Sequence, residues 1–401
     1  MSTQELPLSG VRVIEMTHMV MGPTCGMVLA QLGAEVIKVE PPAGDKTRSL
    51  GGMGVSFFPL FNRGKRSVVL DFAKPADRET MHRLLASADV FLENFRDGQL
   101  EKQGLGAEDL RRKYPHLIVC GHKGFLSGPY EHRPALDEVV QMMSGLAAMT
   151  GTQEKPQRVG SSANDIMGGM FGAISILAAL YQKRGAPKET KKPADSGGAD
   201  IRIGLFENCL FLVAQHMVEF EMTGNRPRSM PEREHAWPIY DIFETAGGER
   251  IFIGVVTEGH WQSFCREFGL QEFLDDPTLR TTTDRILARA RILPRVAEAI
   301  KRRTMPELAA KLDALNICFS AINRPEDLFD DPHVLRPGGL VNNIDADGAP
   351  FRVPALPIEW NGAHIGEGLK VSPLGADTAA IRAELGDHQP AVPERAAGRR
   401  A

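Results

Sequence analysis

Residues Val11–Glu40 read VRVIEMTHMVMGPTCGMVLAQLGAEVIKVE. The first six, Val11 to Met16, are apolar and β-branched enough for a strand. GPTCGMVLAQLG (Gly22–Gly33) has helical spacing and ends on glycine, and AEVIKVE (Ala34–Glu40) is a second strand. A strand, a helix and a strand in 30 residues leave room only for a parallel crossover, so the stretch predicts a βαβ unit. The runs RSVVLDF (66–72), ADVFLENF (88–95) and HLIVCGHKGF (116–125) continue the series, with helical patterns at 77–87 and 107–113 between them. The fold class is therefore α/β, with a Rossmann-like parallel sheet in a large domain whose ligands bind at the carboxyl ends of the strands.

Cations and glycines gather beside these strands. Thr17–Pro23 follows the first, Asn62–Arg66 precedes the third, Asn94–Arg96 follows the fourth and His122–Phe125 follows the fifth. Four such clusters on one edge predict an anionic, nucleotide-like ligand. The sequence has no GxGxxG after the first strand and no GxxxxGK[ST], so neither a dinucleotide fingerprint nor a P-loop is supported.

Farther on, NDIMGGMFGAISILAALYQKR (Asn164–Arg184) is a long helix. Met167, Met170, Phe171, Ile174, Leu177, Ala178 and Tyr181 share one face and are expected to be buried. Asn164 or Asp165 can cap the first turn. Gly168 and Gly169 each cost up to about 1 kcal/mol relative to alanine, so close packing or a ligand must offset them. From the residues alone, Asp165 is either a cap or a working carboxylate.

The run 185–199 is polar and rich in glycine and proline, and 199–223 reads as a strand followed by a helix. Two strands, WPIYDIF and RIFIGVV, are joined by a hairpin at Ala246-Gly247-Gly248; helices follow to about Asn316, and then a proline- and glycine-rich return. The expected organisation is a large domain over 1–200 completed by 326–386, a smaller α+β domain over 225–325, and a flexible tail over 387–401.

The 401 residues are 24% charged and 42% hydrophobic with a formal net charge of −4, which gives no reason to expect nucleic acid as a partner. Cys25, Cys120, Cys209, Cys265 and Cys318 have no metal-like spacing, so no metal site and no disulfide framework are expected. With no apolar signal core at the N-terminus and no run of about 18 uncharged apolar residues, the expectation is a cytoplasmic protein with no membrane association.

Taken in order, LSGVRVIEMTHMVMGP, LAQLGAEVIKVEPP, FNRGKRSVVLDF, ADVFLENFRDGQLEKQGLG, the HKGF turn, the Asn164–Arg184 helix and DDPHVLRPGG make the chain resemble the family III CoA-transferases (CaiB/BaiF family) from about Leu8 to Gly386. The resemblance implies an interlocked dimer, either a homodimer or a heteromer with a homologous subunit. It implies a coenzyme A thioester as substrate rather than a permanently bound cofactor, with acyl-CoA and a free carboxylic acid as the molecules bound. It also implies that Asp165 is the nucleophile, passing through an aspartyl anhydride and an aspartyl-CoA thioester, with the helix terminus keeping the acid ionised and the glycines clearing room for the thioester. CoA contacts carry over to His18, Met19 and Val20; to Leu70, Asp71, Phe72 and Ala73; to Asn94, Phe95 and Arg96; to Lys102; and to His122, Lys123, Gly124 and Phe125. Arg96 and Lys102 are the candidates for the phosphates.

Two departures bear on the substrate. Val20 stands where formyl-CoA transferases have glutamine, and Glu232–Pro238 stands where they have a glycine-rich lid. Oxalate chemistry is therefore not expected, and Met19, Met21, His235 and Trp237 suggest a bulkier acid. Overall similarity points to succinyl-CoA as donor and a dicarboxylic acid as acceptor, including aryl-substituted succinates such as benzylsuccinate. Two alternatives remain: an acyl-CoA racemase of the same fold, which needs a second base where this chain has Leu136-Asp137, and a CoA-binding, non-catalytic subunit of a hetero-oligomeric transferase.

Overall fold

The computed structural model describes residues 5–185 and 197–386. The chain divides into two units, Met1–Pro231 with Arg336–Ala401, and Glu232–Leu335. Strands β1 (Arg12–Met16), β2 (Glu35–Glu40), β3 (Arg66–Val69), β4 (Val90–Glu93), β5 (Ile118–Lys123) and β6 (Ala199–Gly204) form one sheet in the first unit. All its pairings are parallel, and the order is β3-β2-β1-β4-β5-β6. The order reverses between β1 and β4, and such a reversal opens a crevice at the carboxyl ends of the two central strands.

The helices of this unit are α1 (Met21–Gln31), α2 (Phe57–Asn62), α3 (Pro75–Ala86), α4 (Ala107–Lys113), α5 (Asp137–Met143), α6 (Leu146–Thr150), α7 (Ala163–Gly185) and α8 (Leu205–Thr223). Side chains alternate across the sheet. Ile14, Ile37, Val68, Phe91 and Val119 pack with Met81 and Leu84 of α3. Val13, Val36, Leu92, Ile118 and Cys120 face the other way, onto Leu29 of α1 and Ala173, Ile176 and Leu180 of α7. Both faces are covered, which is why the strands read as nearly continuous apolar runs.

Helix α7 buries the face opposite to the expected one. Met170, Ile174 and Tyr181 are exposed, while Ala173, Ile176, Ala179 and Leu180 are buried with the glycines. The cause is backbone proximity. A Cβ on Gly169 would lie 2.6 Å from the Met21 carbonyl oxygen and 2.6 Å from Thr24 Cβ, and one on Gly172 would lie 2.4 Å from His122 Nε2. Only a face of small residues lets α7 come this close to α1 and β5. The glycines therefore make room for protein rather than for a ligand. Among the described residues α7 is also the one helix with the length and apolar composition of a membrane span.

In the second unit β7 (Ile239–Glu244), β8 (Arg250–Val255) and β9 (Cys318–Ala321) form an antiparallel sheet. Helices α9 (Glu258–Phe268), α10 (Gln271–Asp275), α11 (Thr282–Leu287), α12 (Arg289–Lys301) and α13 (Met305–Ala314) accompany it. The expected hairpin turns where Thr245 N–H donates to the Glu249 carbonyl at 2.8 Å, with Gly248 at φ +82°. Strand β9 has no counterpart in the sequence reading, because a four-residue run (Cys318–Ala321) is too short to show a period.

Along the chain the division falls beyond the expected boundaries near 225 and 325. Residues 225–231 stay with the first unit, where Met230 N–H donates to the Met149 carbonyl at 2.8 Å, and residues 326–335 stay with the second. After the hairpin of β10 (Leu340–Ile344) and β11 (Pro350–Pro354), the chain reaches α14 (Thr378–Glu384). Ser67 N–H donates to the Asp377 carboxylate at 2.8 Å and Val69 N–H to Thr378 Oγ1 at 3.0 Å, so the free edge of β3 is closed. The 185–199 run lies mostly, and the 387–401 tail wholly, outside the described residues.

Candidate functional site

The turn that follows β1 is held from both sides. Glu15, fully buried, accepts from Thr17 Oγ1 at 2.7 Å and from Lys65 Nζ at 2.9 Å, while Lys38 Nζ donates to the Thr17 carbonyl at 2.7 Å and pairs with Asp45 at 3.0 Å. Across the β1–β4 reversal, Asn94 accepts from His18 N–H at 3.0 Å and donates to the His18 carbonyl at 2.7 Å. Met19 lies between these anchors at φ +64°, a conformation non-glycine residues rarely take. A backbone pinned in this way at a switch point is where strain marks function.

Not every expected contact lines this edge. His18 and Met19 are exposed, and the His18 ring lies 5.6 Å from that of Phe95. Ala73, Arg96 and Lys102 are exposed, and Asp71, Phe72, Asn94, Phe95, Lys123 and Gly124 are partly so. Among the described residues, neither Arg96 nor Lys102 has an ion-pair partner. Lys123 pairs with Glu93 at 2.8 Å and Asp97 at 3.1 Å, so its charge is already matched.

Val20, Leu70, His122 and Phe125 are buried to 3% exposure or less, and their side chains are core. Burial draws His122 down to about 4, leaving a neutral ring against α7. The cluster Asn62–Arg66 precedes β3, at the amino end of a strand, and is turned inward: Lys65 Nζ donates to the Pro23 carbonyl at the start of α1 at 2.9 Å. Arg63 and Lys65 are buried, Lys65 beside Glu15, and Arg66 pairs with Glu35 and Glu384. Spacing alone could not place these residues, because it does not say which end of a strand faces the crevice.

Asp165 is in the first turn of α7, at the same edge as the β1 turn. Gly168 and Gly169, one turn on, abut Met21 and Thr24 at the start of α1. The side chain is half-buried and makes no hydrogen bond to any of the described residues, so it does not cap the helix, which already begins at Ala163. Asn164 does not cap either: its amide donates to the Leu205 carbonyl at 3.1 Å, and Asn208 donates back to it at 2.7 Å.

Contrary to the expectation of an acid held ionised, burial pushes the Asp165 carboxyl up to about 7. The negative charge of Asp137 adds to this and Arg158 opposes it. Asp137 and Arg158 were not among the expected site residues. The available signal was the acid of the Leu136-Asp137 pair, 28 residues ahead of Asp165, which in the sequence stands only as the counterpart of a racemase base. Met21 is buried against Gly168. His235 and Trp237 belong to the second unit, where His235 is half-buried and Trp237 packs on Tyr240 with ring centroids 4.8 Å apart.

Sheet and helices together define a doubly wound α/β protein whose strand order reverses between β1 and β4. Residues 8–378 match CoA-transferase family III, and the chain belongs to that family; it is a CoA-transferase. It is 30% identical over 378 residues to the succinyl-CoA–D-citramalate CoA-transferase of Chloroflexus aurantiacus, covering 90% of this chain and 92% of that protein. It is 29% identical over 398 residues to the succinate–glutarate CoA-transferase of Agrobacterium fabrum, covering 96% and 97%. The crystal structure of a CaiB/BaiF family protein from Brucella suis superposes with a TM-score of 0.81 at 32% identity, covering 95% of this chain and all of that one.

Proposed function

We propose that the protein moves CoA from succinyl-CoA to a dicarboxylic acid, with Asp165 as the nucleophile. The observation that carries this reading is the Asp165 carboxyl itself: half-buried, without a hydrogen bond among the described residues, and set at the switch-point edge of a family III chain. The carboxylate attacks the thioester carbonyl, the C–S bond breaks, and a mixed anhydride and CoA thiolate result. The thiolate then attacks the aspartyl carbonyl, releasing the donor acid and leaving an aspartyl-CoA thioester. The acceptor carboxylate enters by the reverse sequence, so the thioester free energy is conserved if water is kept out.

His18, Phe95, Arg96 and Lys102 are accessible on the same edge and suit an adenine ring and phosphates. Succinyl-CoA as donor and a dicarboxylate as acceptor are supported by the names of the relatives; benzylsuccinate is one bulky member of that class. Two chains are proposed to form the working unit. Met170, Ile174 and Tyr181 of α7 and Phe211, Met217, Val218, Phe220 and Met222 of α8 are exposed apolar groups that a second chain would cover. A monomer in light scattering would refute that assembly.

The catalytic reading is tested by giving the protein succinyl-CoA without acceptor. An adduct at the Asp165 peptide, converted to a hydroxamate by hydroxylamine, is expected. An Asp165→Asn variant that exchanges CoA as fast as the parent, with deamidation excluded by mass, would overturn it. Mass-spectrometric screening of glutarate, citramalate, mesaconate and benzylsuccinate as acceptors identifies the acid.

A further inference from the structure

Two carboxylates, Asp137 and Glu138, pair with the Arg158 guanidinium, and the charges of Asp137 and Arg158 are both felt at Asp165 in the first turn of α7. Asp137, in the first turn of α5, is 6% exposed. Its Oδ2 accepts from Gln141 Nε2 at 2.9 Å and lies 3.8 Å from Arg158. Its Oδ1 is buried without a well-formed hydrogen bond, eased only by the Asn164 amide alongside. Arg158 also pairs with the exposed Glu138 and donates from Nε to the Val159 carbonyl at 3.2 Å and from an amino group to the Ser161 carbonyl at 3.3 Å. Gln141 Oε1 accepts from Val159 N–H at 2.9 Å, so α5 and the segment carrying Arg158 are clasped together.

Neither charge is free to swing away. Among the described residues, the other elements packed here bring no compensating cation: Met21 and Thr24 of α1, Asn208 and Cys209 of α8, and the neutral His122 of β5. With Asp137, Glu138 and Asp165 all ionised against Arg158, the cluster would carry two uncompensated negative charges, and a partly buried cluster relieves such an excess by keeping a proton on one of its less exposed carboxyls.

We propose that Asp137 and Arg158 are a charge-setting pair for Asp165: Asp137 holds a proton on the Asp165 carboxyl, Arg158 draws it toward the anion, and their balance fixes the pH at which the anion appears. Both are positioning residues. The catalytic consequence rests on the proposed role of Asp165, whereas the titration does not. If that role holds, exchange is gated by pH, rising as Asp165 loses its proton.

The test needs no substrate. A water-soluble carbodiimide with glycinamide labels carboxyls less as they ionise, and labelling of the Asp165 peptide, quantified by mass spectrometry across pH, gives a midpoint. Asp137→Asn, which keeps the acceptor for Gln141, is expected to lower that midpoint by on the order of one pH unit, and Arg158→Gln to raise it by a similar amount. Arg158→Lys, which keeps the charge, stays near the parent. Simple loosening of the site would instead move both neutral variants down, toward the ordinary carboxyl value of about 4. Midpoints that both fall, or do not move, in variants with parental circular dichroism overturn the pair. In parallel, the acid limb of kcat/KM for succinyl-CoA with glutarate is expected to follow the labelling midpoints. Midpoints that move as stated in a protein that exchanges no CoA would sink the proposed function and leave the charge-setting pair standing.

Discussion

Asp165→Asn is expected to make the protein more stable, and more so as pH rises. The folded carboxyl is pushed up to about 7, chiefly by burial, whereas the unfolded one ionises near about 3.9. Below the unfolded value both states hold the proton and the residue costs nothing. As pH rises to about 7 the unfolded chain ionises freely while the folded one resists, and the cost grows until the folded carboxyl also ionises. At about 1.36 kcal/mol per pH unit, the ceiling at pH 8 is about 4 kcal/mol, against about 1.5 kcal/mol at pH 5.

Because the side chain is only half-buried, solvent screening lowers the realised gap, and a widening of about 1–2.5 kcal/mol from pH 5 to pH 8 is expected. Asparagine has no charge to lose, and with no cap in place none is removed. Urea unfolding followed by far-UV circular dichroism, at one protein concentration so that chain association cancels, measures the gap. A gap that does not change with pH, or an Asn variant less stable at pH 8, would refute the claim that the folded state strains this carboxyl.

Gly169→Ala drives a methyl into the Met21 carbonyl and Thr24 and is expected to cost about 1–3 kcal/mol, seen as a lowered Tm; an unchanged Tm would mean that α1 and α7 are not locked backbone to backbone. Glu15→Gln leaves Lys65 and Lys38 short of a counter-charge in the core, with an expected loss of about 3 kcal/mol or more in the same urea assay. Burial already draws Lys65 down to about 8, so this loss should be smaller at pH 9, where Lys65 can shed its proton; an equal loss at pH 7 and pH 9 would contradict this. Arg96→Gln and Lys102→Gln are expected to raise KM for the acyl-CoA several-fold and leave KM for the free acid unchanged. Equal changes in both would show that these cations do not meet the CoA phosphates.

Much of the architecture is local and was legible in the residues. The strands of 11–40 and the three later runs are apolar because both sheet faces are covered, the 246–248 turn is written in glycines, and the Asn164–Arg184 helix declares itself by length. Position along a strand or helix is a matter of near neighbours, which a linear pattern records. The pattern does not record which neighbour comes from far away. Strand order, and with it the reversal between β1 and β4, is set by crossovers between distant segments. Those crossovers turned Asn62, Arg63 and Lys65 inward beneath the turn after β1 and sank His122, Val20, Leu70 and Phe125 into the core.

The same holds for the helix at the site. Its large apolar side chains marked one face as buried, but the close approach of α1 put the glycine face inward instead. The sequence singled out Asp165 as a chemically unusual acid at a helix start. Only the folded chain brings Asp137 and Arg158 to it from other segments. The protonation state of a carboxyl depends on burial and on charges a few ångströms away, and neither quantity exists until the chain has folded.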